Sequence, residues 1–452
     1  MSRIKNGVIL SNRVFVPDYD DFDDMLKELK IEDTATGRAS FVRVRLYPAN
    51  GDVFSNIDTW TFAIAQDTVP GWFDEDIDRR RMVEAVKRWA ENRIYVGADG
   101  LILSEGTGYY LKDCTNVILQ GSVTVHELRD CSVTGMYGSA TVENMRGFSL
   151  VKKMRVLSTV FNMYDSSEII EMHESSSVET MYDTSMVQYM HDSATVKTMR
   201  DETTVESMNG SSSVKTVYDS AKVESMNNSS SVDKLYDSAR VVHMNNSSSV
   251  NKMYDSSSVT TMHSSSSEVK EMNDSSNVMN MHDSSKVNHM YNSSSVEIMY
   301  DSSSVETMRN SSIIKTMLSE SKVKTMRDSS KVKDMRGSSK VEDMHDIAEV
   351  ENMWESSEVE TMRGASEVTA MFDTNKVKRM WDSSKVGSLY GTSSVETMYG
   401  TTTVKNMYGT STVITMRDYS KVDAMHYSSE VKEMLESASV EKDNRKGGKK
   451  NV

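Results

Sequence analysis

A valine returns every ninth residue through most of this chain, and no other feature limits its fold so tightly. From Val440 the series runs back through Val431, Val422, Val413, Val404 and Val395 to Val269, with Ile314 as its one substitution. A second series runs from Val259 back to Val133, broken in kind only at Ile169. One ten-residue unit around Ser264–Ser267 joins the two, and two less regular units at Val117 and Val125 precede them, making about thirty-seven units. In the two regular series a methionine stands three residues after each valine, replaced by another apolar residue at Val217, Leu235 and Leu389 and by Asp443 after Val440. The unit is small, small, variable, Val, polar, polar, Met, large, then Asp, Asn or Gly. A helix of 3.6 residues per turn loses a nine-residue pattern from one face within a few repeats, and Asp-Ser-Ser or Gly-Thr clusters would break it. Short strands joined by tight turns satisfy the pattern.

The residue after each Met sets the coil length. Every second repeat gives His173, His191, Asn209, Asn227, Asn245, His263, His282, Tyr300, Leu318, Arg336, Trp354, Phe372, Tyr390, Tyr408 and His426. The repeats between give Tyr164, Tyr182, Arg200, Tyr218, Tyr236, Tyr254, Asn273, Tyr291, Arg309, Arg327, His345 and Arg363. Like follows like in each series, as side chains do on adjacent rungs of a parallel sheet. The expected fold is therefore mainly β: a parallel β-solenoid with two nonapeptide repeats, eighteen residues, per coil. About eighteen coils at about 4.8 Å span roughly 85 Å. Val suits the strand and unbranched Met fills an irregular interior. The Ser or Ala two residues before Val points inward, where room is short. The ten-residue unit keeps both columns in phase and is expected to be a bulge in a turn.

Serine-rich composition alone would suggest disorder, but a strict period overrides that reading. The net charge is −15. Spread over the expected length, it falls far short of the roughly fifty phosphates that duplex DNA presents there, so neither DNA mimicry nor nucleic-acid binding is expected. No run of about eighteen apolar residues occurs, and the start Met1-Ser2-Arg3-Ile4-Lys5 lacks a signal-peptide core, so no membrane contact and a cytoplasmic location are expected. The basic end, residues 441–452 with Lys442, Arg445, Lys446, Lys449 and Lys450, is expected to be a disordered tail. Cys114 and Cys131 sit in matching segments one coil apart; two buried thiols are favoured over a disulfide in a reducing cell.

Residues 1–100 differ in kind. Phe22, Met25, Leu26 and Leu29 form one helical stripe; Met82, Val86, Trp89 and Ile94 mark a second helix from Asp74 to Arg93. Phe41–Tyr47 and Trp60–Ile64 alternate like strands. A small α+β domain is expected there, capping the solenoid of residues 101–440. With Val69-Pro70-Gly71-Trp72-Phe73, the helix through Val86-Lys87-Arg88-Trp89 and units such as Val305–Ser312, the chain resembles a group of uncharacterised solenoid-forming proteins of phages and bacteria. The resemblance implies a β-solenoid and a phage or bacterial source; it implies no activity and no functional residues.

The Asp, Asn and Gly that end each unit interchange as a turn residue with positive φ does, which sets the turn reading above a calcium ladder. Regular apolar spacing places the methionines in the core rather than on copper. Stacked histidines such as His173/His191 and His263/His282 lack a recurring third ligand, so no metal is expected. No nucleotide loop, zinc pair, nucleophile elbow or cofactor motif occurs in residues 1–110, and the acidic run Asp18–Asp24 is a helix N-terminus. The expectation is a non-catalytic structural or protein-interaction rod without cofactor, binding a protein partner or its own copies. Its candidate contact column is Trp354, Phe372, Tyr390 and Tyr408, and its second outward column Tyr218, Tyr236, Tyr254, Arg309 and Arg327. Stacking that only stabilises the rungs is the plainer reading of the same residues. Inhibition of a host or competitor protein is the alternative function; ice binding and an enzyme in the N-terminal domain rank below it.

Overall fold

A computed structural model describes residues 4–264 and 266–445; the rest of the basic end, residues 446–452, lies outside the described residues. The chain is mainly β, a parallel β-solenoid of about 19 coils of 18 residues with a small α+β region before it. It divides into two compact units, Met1–Met186 and Val187–Val452, a division that falls within the repeats.

In the first unit, β1 (Lys5–Leu10), β2 (Val14–Phe15), β3 (Phe41–Tyr47) and β4 (Thr61–Ile64) form an antiparallel sheet in the order β2-β1-β3-β4. Helix α1 (Phe22–Leu29) starts where Asp21 accepts the N–H groups of Asp23 and Asp24, and its Met25 and Leu26 pack with Val8 and Phe41. Helix α2 (Glu75–Ala90), capped by Asp74, packs Met82 and Val86 with Ile9, Val42, Val44, Leu46 and Trp60. The alternation of β1 and β3 thus splits their apolar residues between two small cores. Gly7 permits the closer approach: a Cβ there would lie 2.7 Å from Met82 Cε.

Helix α2 ends at Ala90, short of the expected Arg93, and Ile94 belongs to a strand rather than to the helical stripe. Parallel pairing begins there, with Ile94 opposite Tyr110, so the first rung precedes residue 101. The early coils are tighter: Ile102 lies opposite Ile118 and Val125 opposite Val142 before the spacing settles at Val133 opposite Val151. Cys114 and Cys131 are free, buried and stacked, with the Cys114 N–H donating to Cys131 Sγ at 3.4 Å. The hydrogen bond between the two side chains lowers the Cys114 thiol and raises that of Cys131.

The second unit repeats one device. Successive five-residue strands alternate between two parallel sheets: Ser304–Met308 pairs with Lys322–Met326 in one, Ser295–Met299 with Ile313–Met317 in the other. Register puts Val305 opposite Val323 and Met308 opposite Met326. From Val187 to Leu389 every valine and methionine position of the core is at most 1 % exposed; each side chain so buried contributes about 1.5–3 kcal/mol. Small residues two before the valine, such as Ser294, Ser303 and Ala348, are buried completely, as the shortage of room requires. Ser303, Ser384 and Ser393 donate their hydroxyls to the carbonyl three residues earlier, a neutral partner that lets a polar group line a dry core.

The coils turn at the residue that ends each unit, mostly Asp, Asn or Gly, with Glu174, Ser319 and Glu355 among the exceptions that take the same positive φ. Asp237 has φ 55° and Gly337 φ 69°, and the turn closes by bonds such as Ser303 N–H to Tyr300 O at 3.1 Å. The turns are themselves laddered, Ser302 N–H donating to Asp283 O at 2.8 Å. Aspartate does more here than tolerate positive φ. Its carboxylate accepts the N–H of the turn residue one coil earlier: Asp237 from Asp219 at 3.2 Å, Asp328 from Asn310 at 3.0 Å, Asp382 from Gly364 at 2.9 Å. An N–H that the ladder would leave unpaired gains a charged acceptor. Across the ten-residue unit the register holds, Ser249 opposite Glu268 and Ser258 opposite Asn277, so the extra residue is absorbed at the turn, where Ser264 has φ 92°.

The charged positions flanking each valine form a regular diagonal. A lysine just before Val reaches a glutamate just after Val on the next coil of the same sheet: Lys286–Glu306 (3.1 Å), Lys322–Glu342 (2.5 Å), Lys340–Glu360 (2.7 Å) and Lys421–Glu441 (3.1 Å). Lys324 adds a second contact to Glu306 at 3.1 Å.

Candidate interaction ladders

Parallel register places the large residue after each methionine directly above its counterpart one coil on. The consequence is two columns of stacked side chains at the two lateral edges of the sheets, each ring held by the rung spacing rather than by a pocket.

In the first column, Trp354 and Phe372 lie 4.0 Å apart at 9°, Phe372 and Tyr390 5.1 Å at 6°, and Tyr390 and Tyr408 5.0 Å at 6°. The expected contact residues are thus one stack. His426 extends it at 4.8 Å, and Tyr427, 73 % exposed, leans on Tyr408 at 6.5 Å. Ring faces seal one another while edges meet solvent; Tyr390 remains 37 % exposed. The Trp354 Nε1–H donates to Asp334 Oδ1 at 3.4 Å, and Arg336 lies 6.0 Å over its ring. Arg336, Trp354, Glu355 and Asp373 border a recess of about 220 Å³ beside the stack. Inside, Asn375 replaces the usual serine and is fully buried; it accepts from the backbone and hydroxyl of Ser357, both at 2.9 Å, and donates to the carbonyl of Phe372. With a further bond from its amide to the carbonyl of Met353 at 2.5 Å, four satisfied bonds tie the core to the backbone that carries the phenyl ring.

The second column comes in separate blocks. Tyr218, Tyr236 and Tyr254 stack at 5.1 and 4.9 Å, with Arg200 4.7 Å over Tyr218. Arg309 and Arg327 occupy later coils of the same edge, both exposed, and Asn273 and Tyr291 stand between them and the tyrosine block. Trp381 and Tyr399 form a further stack at 4.0 Å, with Trp381 37 % exposed. That pair follows the column rule and continues the series beyond Arg363. The histidines follow the same geometry: His263 and His282 stack at 4.9 Å, and Tyr300 continues from His282 at 4.4 Å.

The chain matches no family model, no curated protein and no solved structure.

Proposed function

We propose that this protein is a non-catalytic interaction scaffold whose first ladder binds a protein partner or another copy of the chain, and that Trp354, Phe372, Tyr390 and Tyr408 carry the contact. The supporting observation is the unbroken stack of aromatic rings on consecutive coils of the Val187–Val452 unit, with a recess at its Trp354 end. Aromatic side chains fixed by their neighbours offer large contact area at little cost in side-chain entropy. Rung stabilisation alone is served equally by the Asn209, Asn227 and Asn245 positions of the same column, so it does not account for a shift to four successive rings. A phage or bacterial source, and action in the cytoplasm or in a virion, belong to the same proposal and rest on the resemblance of the sequence.

Photo-crosslinking tests it in the full chain, expressed in its source cells, with p-benzoylphenylalanine at position 390 and, as control, at exposed Lys215. Adducts to a defined protein or to a second copy at position 390, exceeding those at 215, are expected, as is their loss when Trp354 and Tyr408 are both changed to serine. Equal yields at the two positions, or none at 390, would leave the rings as rung stabilisers only.

A further inference from the structure

Within the Val187–Val452 unit, the edge that carries the second column changes character at Tyr291. Before it, the coils of Tyr218, Tyr236, Tyr254 and Asn273 turn at Asp219, Asp237, Asp255 and Asp274, all exposed, and a serine follows each aspartate. After it, the coils carry Arg309, Arg327, His345 and Arg363, and only Asp328 and Asp346 supply turn carboxylates. The three arginines are exposed and have no carboxylate within ion-pair distance among the described residues. Like charges on adjacent rungs, such as Arg309 and Arg327, repel. The aspartates before Tyr291 each accept a backbone N–H, as Asp255 does from Asp237 at 3.2 Å, but hold no lysine or arginine among the described residues. The first edge of this unit has neither run: at most two consecutive coils turn at a carboxylate, and Arg336 is its one arginine in the large position.

Reversing the edge about Tyr291 sets each half against its complement. Two copies lying antiparallel, with Tyr291 of each on a two-fold axis, bring Arg309 to Asn273, Arg327 to Tyr254, His345 to Tyr236, Arg363 to Tyr218 and Trp381 to Arg200 of the other copy. No arginine then meets an arginine. The tyrosines seal one another's faces at 5.1 and 4.9 Å, so the guanidinium N–H groups donate to the turn carboxylates beside them and to the phenol oxygens at the ring edges. Ile347, 63 % exposed on the same edge, gains cover. A parallel pair would instead set the four aspartates against their own copies.

We propose that this edge pairs antiparallel with the same edge of a second copy of the chain, centred on Tyr291. Spacing selects that partner. A helix, at about 5.4 Å per turn, falls half a rung out of step with coils about 4.8 Å apart within four coils, and an extended strand, with like-facing side chains about 6.6 Å apart, does so at once. Another copy repeats at the rung spacing and carries both complementary runs at equal distances from one residue, the self-complementarity that a closed two-fold contact requires. From Arg200 to Trp381 the edge runs about 48 Å, and with a width of about 10 Å it covers roughly 500 Å² of each copy, the weak end of specific interfaces, so a micromolar dimer is expected. The surface lies apart from the first ladder, and the inference stands whether or not that ladder binds a partner.

Sedimentation equilibrium of the full chain tests it. A monomer–dimer equilibrium is expected, severalfold weaker in high salt. Arg327→Glu should weaken the dimer at least tenfold, and adding Tyr254→Arg, which restores opposite charges across the axis, should return it to within threefold of the unchanged chain. Both positions belong to a column that already holds Arg, Tyr, Asn and His, and melting curves verify that the variants fold. Under mild oxidation Tyr291→Cys should give a disulfide-linked dimer, whereas Arg363→Cys, about 38 Å from its own copy across the axis, should give none. Trp354→Ser with Tyr408→Ser, which disables the first ladder, should leave the dimer unchanged, so the two surfaces are read separately. A chain still monomeric at about 100 µM, no recovery in the double variant, equal crosslinking at 291 and 363, or loss of the dimer with the first ladder would overturn it.

Discussion

Met308 and Arg309 are neighbours in the chain with opposite surroundings: the methionine is fully buried between the sheets, and the arginine projects from the lateral edge. Met308→Asp would put a carboxylate where no partner or water reaches it, and is expected to cost at least about 3 kcal/mol. Arg309→Asp is expected to stay within about 0.5 kcal/mol, as surface changes away from special features do. Urea midpoints of the two variants check this; equal shifts would mean that the arginine shares the core. This much was legible in the sequence because burial follows the repeat. The interchange of Asp, Asn and Gly likewise announced a positive φ, found at Asp237, Asn228 and Gly337. What it concealed was why aspartate prevails. The carboxylate of Asp237 serves the N–H of Asp219, a relation eighteen positions away that no local turn signal contains.

Strands and their charged flanks form the next scale. The positions beside each valine look irregular in the sequence, a mixture of Lys, Glu, Thr and Asn. They become ordered only when coil length and a two-residue offset are applied together, which yields Lys286–Glu306, Lys322–Glu342 and Lys340–Glu360. Hydrogen bonds from Lys286 and Lys324 hold the Glu306 carboxyl below its ordinary value, one from Lys340 does so for Glu360, and Glu360 in turn raises Lys340. Carboxylates depressed in the folded state add stability that is complete above their unfolded pKa, about 4.3, and disappears as pH falls through the lower folded values. Lysines raised in the folded state add stability that is complete below their unfolded value, about 10.4, and disappears as pH rises beyond the folded one. A stability plateau between about pH 5 and 10 is therefore expected. Glu306→Gln with Glu360→Gln should lower that plateau by at most about 1 kcal/mol per pair and flatten its acid limb, both effects fading in high salt. Melting temperature against pH at two ionic strengths checks it; an acid limb of unchanged steepness would reject the pairing. The N-terminal elements were less legible. β3 and α2 followed their patterns, whereas Lys5–Leu10 carries two polar residues and a glycine before its apolar end, and its pairing with β3 is long-range. Ile94 has helical spacing, yet Tyr110 pairs with it as a strand.

For the molecule as a whole, the two sheets share one core pattern and differ in what their edges display. Deleting residues 288–305 puts Val287 in the place of Val305 on the same sheet and keeps both columns in line. Deleting 288–296 puts Val287 in the place of Val296, which belongs to the other sheet. Val and Met can still pair, since nearest-neighbour packing dominates such repeats. Both proteins are expected to fold with little change in circular dichroism, but the nine-residue deletion exchanges the Tyr/Arg and His/aromatic edges beyond the cut. Crosslinking between cysteines placed at Tyr254 and Arg309 should survive neither deletion equally: with both sites on one edge, eighteen residues removed brings them closer, and nine removed sends them to opposite edges. Identical yields would reject the two-repeat coil. The ladders were legible from the sequence for the same reason, since one period defines them. The cleft lined by Asn6, Asp20, His126 and Arg146 was not, because Asn6 and Asp20 lie outside the period, although Arg146 itself stands after Met145 at the head of the Tyr164 column.

The interchangeable core also bears on heredity. Near-identical short units in a gene invite slippage when it is copied, and most proteins would be ruined by the gain or loss of nine residues. If the interior accepts either parity, as the shared Val and Met register of the two sheets predicts, copying errors alter the length of the molecule before they threaten its folding, and what selection sees is the order of side chains along each edge. An even number of units passes unnoticed there; an odd number rewrites the surface at a stroke, a route to new outward patterns that needs no point mutation.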